Sequence, residues 1–358
     1  MVNGVYTGTK SNNPGGGLVA SKNQSGFHLT ALALIIVVLG VAGLVAWRVI
    51  KSSSKNQPKN TTSQTSTSTP STSGEINKID TAKLAFDQQT AASDPIGDKN
   101  GPFYHDVYTA SSTDGLHFTA TGNKVAEHAS VPDAIRLPSG QLVFYAVDGA
   151  LRSKSGVLMG VSGDNGKTWE LGSMQLSGVS GGIADPQITI TDNGQLRLYY
   201  LVFPGPPVPG QPPASVNTVD SSTSTDGINF TKESGNRFEY AQITDPDVIK
   251  IGSTWFMYAA QGQRQIYATS TDGLGFTYKG MAREKGSVSK TVTIGDGKYR
   301  QFYCDKGISS STTSNGISWS DEGVNLAAPA DKIICDPSPL QLDDGNWLMI
   351  YKVANPQR

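Results

Sequence analysis

Cysteine is nearly absent: the 358 residues carry Cys304 and Cys335 and no others. Two are too few for a disulfide-built scaffold, and their spacing matches no metal-binding pattern. Charge of either sign is thin, at 16% of residues, with a net charge of -1. No basic cluster interrupts the scattered lysines and arginines of the C-terminal part, which argues against a nucleic-acid partner. A helical period is missing after residue 100, where short apolar runs alternate with Gly-containing polar turns. Long apolar runs are also lacking, with one exception.

That exception is residues 29–47, LTALALIIVVLGVAGLVAW, without a charge. About 20 residues at ~1.5 Å each cross a hydrocarbon core of ~30 Å. We expect one transmembrane helix over residues 29–50, after a short polar segment, 1–28. A cleavable signal peptide is the alternative, but its apolar core is normally shorter and followed by small residues. This run ends in Trp47-Arg48. Ser25-Gly26-Phe27 has the look of a prepilin leader junction, although Ala31 stands where a mature pilin has Glu.

Residues 52–73 are almost wholly Ser, Thr, Asn, Gln, Lys and Pro. Such a segment has too little apolar surface to fold, so residues 51–100 are expected to be a flexible stalk. Lys10 and Lys22 precede the apolar run, and Arg48, Lys51, Lys55 and Lys59 follow it. Taken alone, that balance keeps the C-terminal head in the cytoplasm. The stalk argues the other way. The expectation is a single-pass protein of the cell membrane with a monomeric head outside the cytoplasm.

The head, residues 101–358, is organised by two repeats. The first is Ser162-Gly-Asp164-Asn-Gly166-Lys-Thr168-Trp169. Shorter relatives run from Ser112 to Phe118, Ser224 to Phe230, Ser270 to Phe276 and Thr313 to Trp319. Their glycines, Gly115, Gly166, Gly227, Gly273 and Gly316, are 51, 61, 46 and 43 residues apart, a spacing that suits propeller blades. The full motif resembles the Asp-box of sialidase-like propellers. Its chemistry is that of a turn: Asp or Asn accepts from backbone amides and Gly takes positive φ. We expect these turns to join strands 3 and 4 of five blades.

The second repeat alternates with the first. Its members start at Val131-Pro-Asp133, Asp185-Pro-Gln187, Asp245-Pro-Asp247, Val288-Ser-Lys290 and Asp336-Pro-Ser338. Each leads through a polar turn into an aromatic or aliphatic run: 142–145, 196–200, 255–258, 299–303 and 347–351. These read as strands 1 and 2. The chain ends after strand 2 of one blade and its head begins with strands 3 and 4, so joining them gives an all-β, five-bladed propeller with no exposed edge.

In that architecture the starts of the five inner strands converge on one rim. Asp185, Asp245 and Asp336 are the candidate catalytic residues. Asp133, Gln187, Asp247 and Lys290, two residues deeper, are candidate substrate contacts, as are Asp148 and Asp305 after strand 2. The Pro-rich stretch 203–213 is expected to wall one side. Several carboxylates around one opening suit glycoside cleavage, in which one group is ionised and another stays protonated. No cofactor is required, though an acidic channel could hold Ca2+.

Five blades with Asp-Pro at inner-strand starts resemble the five-bladed glycoside hydrolases of the arabinanase and β-xylosidase class, over residues 100–358. The resemblance implies Asp336 as general base and Asp185 as the residue that tunes the acid. Val131-Pro132-Asp133 is similar to the family's Ala-Pro-Asp. The mapping needs a circular shift of blade order. The family's Glu-Gly-Pro, whose Glu is the acid, is absent here. Asp245 holds the corresponding place, with Glu239 and Glu284 as loop alternatives. Sialidase chemistry fits less well, because Arg136, Arg264 and Arg300 do not occupy equivalent repeat positions.

Cys304 and Cys335 should meet on the same rim of adjacent blades, as a disulfide or as two buried thiols. The expected activity is hydrolysis of a glycan or oligosaccharide. A non-catalytic lectin-like or adhesive head and a protein-binding propeller are the alternatives.

Overall fold

The computed structural model describes residues 74–202 and 216–354. The expected membrane helix, residues 51–73 of the expected stalk and the Pro-rich stretch 203–213 lie outside these. Among the described residues no helix is long and apolar enough to cross a membrane.

The described residues form five antiparallel blades. The first consists of Ala129–Arg136, Leu142–Asp148, Val157–Ser162 and Glu170–Ser173. The third runs from Thr244–Ile251 through Thr254–Gln261 and Arg264–Ser270 to Thr277–Arg283. The fourth comprises Ser287–Gly295, Lys298–Cys304, Gly307–Thr313 and Ser320–Ala327. The second blade is larger. Its four strands, Ile183–Ile190, Leu196–Val202, Asn217–Ser224 and Asn229–Lys232, are joined by Phe238–Tyr240 and, in parallel, by Gln175–Ser177.

The fifth blade closes the ring. Ile333–Gln341 and Trp347–Ala354 supply its inner half, and His105–Ser112 and Thr119–Glu127 its outer half. The pairing runs from His105 opposite Ala354 to Ser112 opposite Trp347. This pairing covers the outer side of Trp347–Ala354, which would otherwise be an open edge for association.

Strand 2 of each blade has neighbours in the sheet on both sides and neighbouring blades on both faces. In the first blade its residues are accordingly apolar up to the terminal Asp148, and Leu142–Asp148 is buried throughout. The outermost strands face solvent, and Thr119–Glu127 is largely exposed.

The five Gly turns join strands 3 and 4 as expected. In the fifth blade, Asp114 Oδ1 accepts from the amides of Leu116 and His117 at 2.8 Å, and Ser112 Oγ accepts from Gly115 N at 2.9 Å. The fourth blade repeats this with Asn315 and Thr313. The glycine is required: Gly227 has φ +74, and a Cβ there would lie 2.4 Å from Ile79 Cδ1.

Four of the turns are also fastened to a neighbouring blade. The hydroxyls of Tyr145, Tyr199 and Tyr258 donate to the carbonyls of Gly227, Gly273 and Gly316 at 2.6, 2.7 and 2.7 Å. Arg300 Nη1 does the same for Gly115 at 2.8 Å. The aromatic three residues after each glycine packs edge-on against strand 2 of a blade, as Phe230 does on Tyr145 and Trp319 on Tyr258. Blade-to-blade packing at this rim is therefore both apolar and hydrogen-bonded.

Residues 74–100 depart from the expected stalk. They run along the first and second blades as a strap. Ile76 N donates to Gly194 O, and Gln141 holds Ile79 by both amide atoms. Ile76 and Ile79 are buried. Farther on, Ala85 O accepts from Ser173 N, and Ala91 N donates to Ala150 O. The strap starts at the rim of the Gly turns and reaches the opposite rim before joining the fifth blade.

Candidate functional site

The starts of the five inner strands share one backbone device. Val131, Asp185, Asp245, Val288 and Asp336 have φ of 50, 51, 49, 55 and 52. In four of them a proline follows, and each inner strand shifts register at this point. Proline has no amide to give to a ladder and is tolerated at a bulge. The residue before it is pushed away from the right-handed helical region. A left-handed conformation is costly for a non-glycine residue, and a β-branched valine there is a true outlier. Five copies on one rim mark it as a site where backbone strain is stored.

The bulges surround one opening, with about 310 Å³ of open space. Asp185, Asp245 and Asp336 line it together with Asp133, Gln187 and Ser289. The three catalytic candidates are thus brought together. Asp185 and Asp336 are 7% and 5% exposed. The two neighbouring candidates are linked, since Asp245 N donates to Asp185 Oδ2 at 3.1 Å.

A lysine that the repeat did not single out completes the group. Lys352 Nζ lies 2.5 Å from Asp336 Oδ2. Burial alone would lower the Lys352 pKa, but the Asp336 carboxylate, with Asp245 and Asp185, more than reverses this and holds it above the ordinary lysine value. Its signal in the sequence is a lone charge within the apolar run Trp347–Ala354, where charges are rarely buried unpaired. His105 stands nearby, with Nδ1 2.9 Å from Ser130 Oγ. Burial first, and then the Lys352 charge, lowers its pKa to about 3, so this imidazole stays neutral.

The carboxylates differ in proton affinity. Burial pushes Asp185 up to about 6; the Asp245 amide opposes this and the Asp336 charge adds to it. Burial, followed by the charges of Asp185 and Asp336, pushes Asp245 well above the usual carboxylate range. Asp185 and Asp245 interact strongly enough to titrate as a pair. The opening therefore holds an Asp336–Lys352 ion pair beside a carboxyl whose proton affinity is raised.

The deeper layer has a different role from the one expected. Asp133 Oδ2 accepts from Ile188 N and from Lys290 Nζ, both at 2.7 Å, and its Oδ1 accepts from Ser338 Oγ at 2.9 Å. Asp247 accepts from Thr291 N at 3.1 Å and Thr291 Oγ1 at 2.6 Å. These bonds tie one inner strand to another across the channel. They engage both carboxylate oxygens of Asp133 and of Asp247 and one donor of Lys290, whereas Gln187 is only half engaged. Its Nε2 donates to Ile188 O and Val248 O, while its buried Oε1 has no partner.

Asp148 and Asp305 are not brought to the opening. Asp148 is fully buried and caps a turn, accepting from Ala150 N, Ser153 N and Arg152 Nε. Asp305 is exposed in the turn before Gly307. Glu239 bonds to Thr218 and Asn236, and Glu284 pairs with Arg264 at 3.5 Å. Neither glutamate lines the opening. Among the described residues no group of acidic, His or Cys side chains is arranged to hold a metal ion.

Cys304 and Cys335 form a disulfide, with Cα atoms 5.2 Å apart.

No family model matches the chain, and no curated protein does. The chain is similar to several solved structures. A thermostable family-43 glycoside hydrolase is 12% identical, with a TM-score of 0.49 over 63% of this chain and 88% of its own. A family 117 glycoside hydrolase from the marine bacterium Zobellia galactanivorans is 14% identical, with a TM-score of 0.43 over 76% and 90%. An exo-1,5-alpha-L-arabinanase from a bovine ruminal metagenomic library is 15% identical, with a TM-score of 0.46 over 63% and 91%.

Proposed function

We propose that the head hydrolyses glycosidic bonds at the opening lined by Asp185, Asp245 and Asp336. The supporting observation is that these three side chains line one opening, with Asp336 paired to Lys352 and Asp185 bonded to the Asp245 amide. Asp336, ion-paired to Lys352, serves as the base that activates water. Asp245, pushed well above the carboxylate range by burial and its neighbours, remains protonated and donates to the leaving oxygen. Asp185 bonds to the Asp245 backbone and raises its proton affinity. The unpartnered Oε1 of Gln187 is a ready acceptor for a sugar hydroxyl at the floor. A buried acceptor left unpaired costs about 1–3 kcal/mol, which a ligand donor would recover.

The proposal includes a single membrane-spanning helix within residues 29–50 and a head outside the cytoplasm. The uncharged apolar run and the Ser/Thr-rich segment after it support the first part. The disulfide supports the second, because such bonds persist in oxidising compartments.

A head that binds glycan without cleaving it is the second reading. It is favoured by the absence of the resembling family's Glu-Gly-Pro and by the lack of a glutamate in the lining of the opening. The two separate in a screen of the full chain against aryl-glycosides and a glycan array. Turnover that disappears in both Asp336→Asn and Asp185→Asn supports hydrolysis. Capture without turnover supports binding alone, and neither outcome with any glycan sinks both.

A further inference from the structure

We infer that the Cys304–Cys335 disulfide is the positioning device for Asp336, and that without it the base of the proposed reaction loses its place. The inference rests on the function proposed above but is read from a separate part of the structure. Around the channel, neighbouring inner strands are tied by hydrogen bonds. Asp133 reaches Ile188 N between the first and second blades, and Asp185 reaches Asp245 N between the second and third. Asp247 reaches Thr291 N between the third and fourth, and Ser338 reaches Ala134 N between the fifth and first. Among the described residues the inner strands of the fourth and fifth blades share no such bond; the one hydrogen bond across their seam at this level goes to a sulfur of strand 2. Its other hydrogen bonds, from Arg300 to Gly115, from Asn325 to Leu116 and from Phe118 N to Asn325 O, lie at the opposite rim.

The disulfide occupies that seam. Cys304 ends strand 2 of the fourth blade, and Cys335 directly precedes Asp336. The bulge between Cys335 and Ser338 frees Asp336 from the ladder, and its φ is +52. Its amide is directed at Cys304 Sγ, 3.2 Å away. At the corresponding place in the third blade, the Asp245 amide is held by a carboxylate of the preceding blade. Sulfur and a covalent bond thus take the part that a hydrogen bond plays elsewhere. They hold a strained residue whose side chain must meet Lys352.

The test uses the full chain carrying Cys304→Ser and Cys335→Ser together. Amide hydrogen exchange should speed at least tenfold at Asp336 and its neighbours, while Asp245 and the other inner strands keep their protection. With a hydrolysed glycan, kcat should fall at least tenfold at near-constant KM. A purely structural disulfide would instead lower protection throughout, or change neither reading. If the doubly substituted chain does not fold, reduction of the folded native chain with tris(2-carboxyethyl)phosphine gives the same exchange measurement. Unchanged exchange at Asp336 overturns the inference even if hydrolysis is found. Faster exchange there in a chain that handles no glycan supports the positioning and removes the proposed reaction.

Discussion

Removal of the Asp133 carboxylate should unlock the centre of the ring. Asp133 is 6% exposed and joins three inner strands through Ile188 N, Lys290 Nζ and Ser338 Oγ. In Asp133→Ala the Lys290 ammonium is left buried without its partner, a loss on the order of 3–5 kcal/mol. The freed Ile188 amide adds roughly 1–3 kcal/mol. Asp247 also faces Lys290 and offsets part of this. A net cost of about 4 kcal/mol is expected, set against a typical domain stability of roughly 5–15 kcal/mol. Urea unfolding of the full chain, followed by tryptophan fluorescence, should show the lower midpoint with an unchanged slope. Pairing Asp133→Asn with Lys290→Met removes the stranded charge and should cost at least ~1 kcal/mol less than the two single changes summed. If Asp133→Asn and Lys290→Met each leave stability unchanged while glycan handling disappears, these residues contact substrate, and the ring-tie account is wrong.

Other consequences are accessible to the same assays. Asp185 and Asp245 have folded-state pKa values above the ordinary aspartate value. Their contribution to stability is complete below about pH 4 and is lost as pH rises through the folded values. For Asp185, with a folded value of about 6, the loss is roughly 3 kcal/mol. Melting temperature should therefore fall from pH 4 toward pH 7, and Asp185→Asn should flatten that slope; an unaltered slope would refute the assignment. Tyr145→Phe, Tyr199→Phe and Tyr258→Phe each strand a glycine carbonyl and should cost about 1–2 kcal/mol without affecting glycan turnover. Gly227→Ala would drive a Cβ into Ile79 at a positive φ. The strap should loosen, and limited proteolysis should cut between residues 74 and 104 sooner than in the native chain.

The ring itself was legible because each of its signals is local. A Ser or Thr hydroxyl, an Asp or Asn carbonyl oxygen and a glycine suffice to make each turn. A residue before proline marks four of the five bulges, and Val288-Ser289 follows from its place in the repeat. The ties within the channel were not legible. Lys290 and Asp133 are 157 residues apart, and Ser338 and Asp133 are 205 apart. Their side chains are the polar types expected of a binding site, and nothing in their spacing distinguishes a tie from a contact. The strap was missed for another reason. Its apolar anchors, Ile76, Ile79, Leu84 and Phe86, are unevenly spaced and sustain neither a helical nor a strand period, so the stretch reads as stalk. Asp148 was placed by topology alone, which cannot tell a rim residue from one folded under a turn.

The most direct measurement compares the hydrolysis of one glycan by the native chain, Asp336→Asn and Asp344→Asn, the last an exposed carboxylate away from the opening. Loss of a positioned base predicts a fall of roughly 10²–10⁴-fold for Asp336→Asn, with the native rate kept by Asp344→Asn. Native turnover in Asp336→Asn would contradict the account, because the ion pair with Lys352 would then hold a carboxylate that the chemistry does not use.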